Sequence, residues 1–182
     1  MELKYSLTEN DYLQQQLYLA SKSNQINKQR KRARIAVPII LLVIVFLSYF
    51  NENLFEAYCS AGAGIVWFFL FPIYLKRYYQ RVFKKYVNEN FKDRAGIVLS
   101  IAFKENALEI VSENIGKSEF NFSSFKNISE IENYFFIDVK ASGNFMIPKA
   151  KINNVEAVKN KLKTIAEKQG IEFISELDWK WK

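Results

Sequence analysis

The sequence predicts an α+β membrane protein: a two-helix transmembrane hairpin plus a cytoplasmic antiparallel β-sheet domain closed by one C-terminal helix. Three observations carry this expectation. Two uncharged apolar stretches lie close together between residues 35 and 75, basic blocks flank them on both sides, and from residue 96 onward apolar residues recur with period two. A length of 182 residues suits a small domain with a membrane anchor. An apolar share of 49% is too high for a disordered chain. The single Cys excludes an internal disulfide and an all-Cys zinc site, and the lack of His removes the commonest metal ligand and the usual general base.

Charge is unevenly spread. Residues 1–27 are net −1, and residues 28–34 are net +5 through Lys28, Arg30, Lys31, Arg32 and Arg34. Residues 35–75 hold only Glu52 and Glu56, whereas residues 76–94 are again net +5, with Lys76, Arg77, Arg81, Lys84 and Lys85 among their bases. Residues 95–182 balance to zero, so the whole +7 excess sits in two blocks that bracket one apolar region. That region divides into spans over 35–50 and 57–75, sixteen and nineteen residues long. A bilayer-crossing helix needs roughly 20 residues, and about 17 suffice. The shorter span is expected to gain length from Ala33, a snorkelling Arg34, and Leu54 and Phe55 carrying the helix across Asn51–Asn53. Pro38 then falls near the start of the first span and Pro72 near the exit of the second, where each is tolerable. The N-terminal helix is expected to run through residues 24–34 into the first span, with at most a break near Asn24. A buried hairpin of a soluble protein would show one polar stripe, which neither stretch has, and Tyr49, Phe50, Phe55, Tyr58, Tyr74, Tyr78 and Tyr79 cluster at the span ends as interfacial aromatics do. Because both basic blocks abut the outer ends, the positive-inside rule puts both termini in the cytoplasm and the short turn outside. Near an anionic inner leaflet each base is worth about 1 kcal/mol, so a lipid bilayer of that kind is the expected partner and nucleic acid is not. A cleaved signal peptide is not expected, since the first apolar run starts after residue 34.

The remaining elements follow in order. Residues 1–34 read as a cytoplasmic segment with a short strand over MELKYSL, a Thr8–Asp11 cap, a helix over Asp11–Ser23 and the basic stretch. Residues 76–95 read as a basic amphipathic extension of the second span. Residues 96–182 read as the β-rich domain, with strands over 97–103, 107–112, 118–122, 127–132, 134–140 and 144–147 and turns at Asn114–Gly116 and Ala141–Gly143. A helix over Val155–Gln169, capped by Asn154 and stopped by Gly170, closes it. A sheet of this size needs strong bending with the helix as its plug. The tail Glu176–Lys182 is either an extra strand or an interfacial anchor.

Several residues are singled out for function. Cys59 suits lipidation or a dimer contact, but as a small apolar filler it needs neither. Ser60, Gly62 and Gly64 permit close helix approach, within the hairpin by preference or between protomers of a homo-oligomer. Lys149, Lys151, Lys159, Lys161 and Lys163 are candidates for headgroups, yet in a domain of zero net charge they read better as ordinary solvated surface. Glu52 and Glu56 read as a solvated turn. No phosphate loop, catalytic pair, cofactor site or metal site emerges, so an enzyme is not expected.

The layout resembles the YcxB-like family of small bacterial membrane proteins. The likeness rests on YSLTENDYL, the basic stretch, the two spans, KRYYQRVFKKY and the run ALEIVSENIGKSEFNFSSFKNISEIENYFFIDVKASGNFMIPKA, and it extends over nearly the full chain. Within that run the matching positions are Phe125 and Ile128, then Ile147, Pro148 and Lys149; the family commonly has Trp where Phe125 stands. The resemblance implies a pleckstrin-homology-like C-terminal domain and an inner-membrane location, with no catalytic residues to carry over. It suggests a membrane-anchored adaptor whose cytoplasmic domain binds an unknown protein partner or the membrane surface. The alternative is an immunity-type protein whose spans or outer turn engage a toxin.

Overall fold

The computed structural model describes residues 1–112, 116–140 and 143–181. Residues 114, 115, 141 and 142 of the two expected turns, and Lys182 of the tail, lie outside the described residues. The chain divides into two units, residues 1–12 with 89–180 and residues 13–88 with 181–182.

The first unit is built from β1 (Glu2–Ser6), the opening turn of α1 (Glu9–Lys22), β2 (Val98–Phe103), β3 (Ala107–Ser112), β4 (Gly116–Asn121), β5 (Phe125–Ile131), β6 (Tyr134–Val139), β7 (Gly143–Pro148), α4 (Val155–Gln169) and β8 (Glu172–Glu176). The strands form two four-stranded sheets, in the orders β1-β2-β3-β4 and β7-β6-β5-β8. The first is antiparallel throughout, with Leu3 opposite Ile101, Ile101 opposite Ile110 and Ile110 opposite Ser118. In the second, β6 pairs antiparallel with β5 and β7, while β8 runs parallel to β5 with Phe173 beside Ile128. β6, with the sequence YFFIDV, is buried except at Asp138, as expected of a central strand covered on both faces. A 3₁₀ turn at Phe122–Ser124 carries the chain from one sheet to the other, and the rings of Phe122 and Phe125 pack 5.5 Å apart.

Two further contacts join the sheets. The Tyr5 hydroxyl donates to the Met146 carbonyl at 2.7 Å, and the Phe120 and Phe145 rings lie 4.5 Å apart. Helix α4 sets Val158, Leu162, Ile165 and Ala166 against this core, beside β5, β8 and the Phe122 turn. Its caps are those the sequence signals: the Asn154 side chain accepts from the Ala157 N–H at 2.9 Å, and Gly170 adopts φ 64°, the left-handed conformation a glycine takes most readily. Phe125, Ile128, Phe135, Ile137, Ile147 and Leu162 have no exposed surface.

The N-terminal strand, expected to belong to a separate segment ending at residue 34, is thus an edge of the first sheet. Ser6 sits opposite Val98, and Gly96, at φ 85°, donates its N–H to the Leu7 carbonyl at 2.8 Å. The β unit is discontinuous in sequence, joining residues 1–12 to residues 89–180. The single bent sheet is corrected to two sheets, because the 3₁₀ turn at Phe122 interrupts the ladder. Strand β8 lies ahead of the tail Glu176–Lys182 in which an extra strand was one expectation, and its pairing with β5 is parallel rather than antiparallel.

The second unit consists of the rest of α1, then α2 (Asn24–Phe50) and α3 (Leu54–Asn90) as far as Asn88, with Trp181. Ser23 breaks the helix and caps α2, its hydroxyl accepting from the Ile26 N–H at 3.4 Å. Helices α2 and α3 are about 40 and 55 Å long, against a hydrocarbon core of about 30 Å. Both are long and apolar enough to cross a membrane, and only 6% of each apolar window is buried. Leu42, Phe46, Ile65 and Phe69 are each more than 60% exposed, the reverse of a soluble core hairpin. Leu54 and Phe55 do not lengthen the first span: they open α3, because the Asn53 carbonyl oxygen of the side chain accepts the Glu56 N–H at 3.3 Å and starts a new helix. Pro38 lies near the start of the apolar stretch but well inside α2, because the helix begins fourteen residues earlier at Asn24 and runs through the basic block.

Candidate functional site

The polar centre of the β unit grows from one short turn. Pro148 ends β7, the Lys149 N–H bonds to the Asn133 carbonyl at 2.9 Å, and Lys149–Lys151 form a single 3₁₀ turn. Lys149 reaches Glu130 of β5, Nζ to Oε1 at 2.7 Å, with its ammonium 4.8 Å from the centre of the Phe135 ring. Lys159 of α4 meets the other carboxylate oxygen at 3.1 Å, and the Ser175 hydroxyl of β8 donates to that same oxygen at 3.3 Å. Glu130 is 2% exposed, an extreme value for an acid. Burial pushes its carboxyl pKa up, but the hydrogen bonds and charges of Lys149 and Lys159 outweigh that and hold it below its ordinary value.

Lys151 points to a second buried acid. Its Nζ donates to Asp11 Oδ2 at 2.7 Å and to the Ser6 carbonyl at 2.8 Å. The Tyr134 hydroxyl donates to Asp11 Oδ1 at 2.8 Å, and the Thr8 N–H and hydroxyl both donate to Oδ2 at 2.8 Å. The Asp11 N–H returns a 3.3 Å bond to the Thr8 hydroxyl, completing the reciprocal cap that the Thr8–Asp11 spacing signals. Burial raises the Asp11 pKa, and the donors Lys151, Thr8 and Tyr134 together carry it below the ordinary value. Tyr134, desolvated and bonded to this anion, is displaced upward.

Between α4 and β8 lies an open cleft of about 450 Å³. Glu130, Lys159 and Ser175 line it with Lys163, Glu167 and Phe173, and the Lys163 ammonium lies 5.6 Å from the centre of the Phe173 ring. Chemically, both buried carboxylates are held as anions by lysines. Such groups fix charge in place and are poorly suited to accept a proton near neutral pH.

Ordinary solvated surface is therefore corrected for Lys149, Lys151 and Lys159, whose ammonium groups neutralise buried acids. Phe125, Ile128, Ile147 and Pro148 are all buried, so four of the five motif residues are core and Lys149 is the polar one. Glu130 and Tyr134 carry no sequence expectation, and Asp11 is expected only as a helix cap, not as the partner of Lys151. The local signal was slight: Glu130 stands between Ser129 and Ile131 in a stretch that also carries Lys126, Asn127, Glu132 and Asp138.

In the hairpin unit, Lys28, Lys31, Arg32, Lys76, Arg77, Arg81, Lys84 and Lys85 are exposed. Arg34 is half-buried with its guanidinium 4.3 Å from the Phe68 ring centre, and the Arg30 guanidinium lies beside the rings of Tyr79 and Trp181, which also meet each other. Ser60 and Gly64 line an apolar groove of about 360 Å³ between α2 and α3. A Cβ on Gly64 would stand 3.7 Å from Leu41 Cδ1, whereas one on Gly62 would meet nothing within 4 Å. The structure thus brings Ser60 and Gly64 to one face and leaves Gly62 off it.

No curated protein and no solved structure matches the chain. The family comparison is narrower than the near full-length likeness expected, but it spans the end of β2 through half of α4 and includes Glu130, Lys149, Lys151 and Lys159. Over residues 103–162 the chain matches the family model described as YcxB-like protein, and so it carries a YcxB-like domain.

Proposed function

We propose that this is a non-enzymatic protein of the bacterial inner membrane, anchored by the α2–α3 hairpin, with both termini in the cytoplasm. Its β unit is a pleckstrin-homology-like module that engages a protein partner or the membrane surface. The observation that carries the reading is the pairing of β1 with β2 across an insertion of some ninety residues, with Ser6 opposite Val98. An insertion that leaves and re-enters one sheet at neighbouring strand ends crosses a bilayer an even number of times. Two apolar helices agree with that parity, and the basic blocks at their outer ends support a cytoplasmic side for both termini. Support for the module comes from short antiparallel strands in two sheets followed by α4, with β8 as an addition to that plan. Support for a non-enzymatic role comes from the two acids, each locked to a lysine.

The test is a pair of fusions to the full chain. Alkaline phosphatase inserted at Glu52 is expected to be active, and the same enzyme fused after Lys182 inactive; activity at the C-terminus would overturn the topology. In cells with a measurable phenotype, replacing Asn51–Glu56 by a Gly/Ser turn should leave it intact, whereas loss on that replacement alone would favour the toxin-engaging alternative.

A further inference from the structure

We propose that Trp181 is a lipid-sensitive clasp: its indole occupies the guanidinium of Arg30, and anionic headgroups displace it. Trp181 is 6% exposed. The Arg30 guanidinium carbon lies 4.9 Å from the centre of the indole and 5.8 Å from that of Tyr79, and these two rings meet edge to face at 6.0 Å. The indole Nε1–H donates to the Lys76 carbonyl at 3.2 Å. Thus α2, α3 and the tail each contribute one wall of the seat.

Its position along the helices gives it meaning. Lys76 is the first base after the second uncharged stretch, and Arg30 belongs to the block that precedes the first. On the membrane-anchored reading, upon which this inference rests, the seat lies where hydrocarbon gives way to inner-leaflet headgroups. A tryptophan suits that level, with a large apolar ring and a single donor. The same guanidinium is also the group that a headgroup phosphate would seek. Bidentate charge-assisted hydrogen bonds to phosphate are stronger than contact with a ring face. Where anionic lipid is sparse, the indole keeps Arg30 and the tail is held; where it is abundant, phosphate takes Arg30 and the tail is released.

The experiment uses the full chain in nanodiscs, which expose both membrane faces, made either of phosphatidylcholine alone or with phosphatidylglycerol added. Trp67→Phe with Trp179→Phe leaves Trp181 as the sole tryptophan, excited selectively beyond the tyrosine absorption band. Acrylamide quenching should be low in the zwitterionic discs and about threefold higher in the anionic ones. Arg30→Ala should make quenching high in both. Equal quenching of the Arg30 protein in the two lipids, low or high, overturns the clasp. Carboxypeptidase release of the last two residues from the unmutated chain, followed by mass spectrometry, must give the same order and guards against misfolding of the variant. A chain that fails to enter nanodiscs overturns the membrane reading and the clasp together; one that enters but ignores lipid charge overturns the clasp alone.

Discussion

Replacing Lys149 by Met exposes how the β unit holds its buried acid. Glu130 is 2% exposed and the Lys149 side chain 14%, so the pair is largely out of water. Removing one partner of a buried ion pair costs roughly 3–5 kcal/mol, mostly because the other charge is stranded. Here Lys159 at 3.1 Å and Ser175 at 3.3 Å remain on the second carboxylate oxygen, which places Lys149→Met below that range, at about 2–3 kcal/mol. Glu130→Leu should cost less, about 1–2 kcal/mol, because both lysines have stems long enough to swing their ammonium groups outward. The double variant sets Met beside Leu over the Phe135 ring and leaves no stranded charge at this pair. It should lie well short of the sum, with a coupling of about 2 kcal/mol. Hydrogen exchange of the full chain in micelles, followed at the amides of β5 and β6, reads this directly. Lys149→Met should speed exchange there about 30- to 150-fold. Lys126→Met, on the exposed side of the same strand, is the control and should change little. If Lys149→Met is no worse than that control, or if the two single effects add, the buried-pair account is wrong.

The two acids also set the acid limit of the fold. Both have folded-state pKa values below their ordinary ones, so their stabilisation is complete above the unfolded carboxyl range near 4 and is lost as pH falls through the folded values. The aromatic circular dichroism signal should therefore hold down to about pH 4 and decline below it, and Asp11→Asn should make that decline shallower. In the hairpin, Gly64→Leu should disturb helix packing by about 1–3 kcal/mol, since a larger side chain there drives into Leu41, while Gly62→Leu should be nearly silent. Unfolding in mixed detergent, read by helicity, compares the two.

What was legible in the sequence was local. The bounds of β3 and α4 fall where alternation, Asn154 and Gly170 put them, because period and capping are properties of a few consecutive residues. The apolar helices were legible for the same reason. What was hidden depends on long-range pairing. Strand β1 looked like part of a detached N-terminal segment because its partner is some ninety residues away. Strand β8 was passed over because EFISE is short and its polar ends mask a parallel pairing with β5. Lys149 and Lys151 looked alike as surface bases because nothing local shows that Glu130 is 19 positions away, or Asp11 140. The neutral charge of the region, taken as a sign of plain surface, was in part the sum of pairs made inside it.

The geometry of the Lys149–Lys151 turn explains why those two bases sit two positions apart. A 3₁₀ turn advances about 120° per residue, so side chains at first and third positions diverge widely. One turn can then serve acids on opposite sides: Lys149 meets Glu130 on β5, and Lys151 meets Asp11 at the start of α1. The first acid lies within the YcxB-like stretch of residues 103–162, but the second lies far outside it, as do β1, most of β2 and β8. That stretch alone would leave Lys151 without its carboxylate, Tyr134 without its acceptor and β5 without its parallel neighbour. The folding unit is therefore larger than the recognisable one. It consists of residues 1–12 together with 89–180, and the hairpin is an insertion between two paired strands.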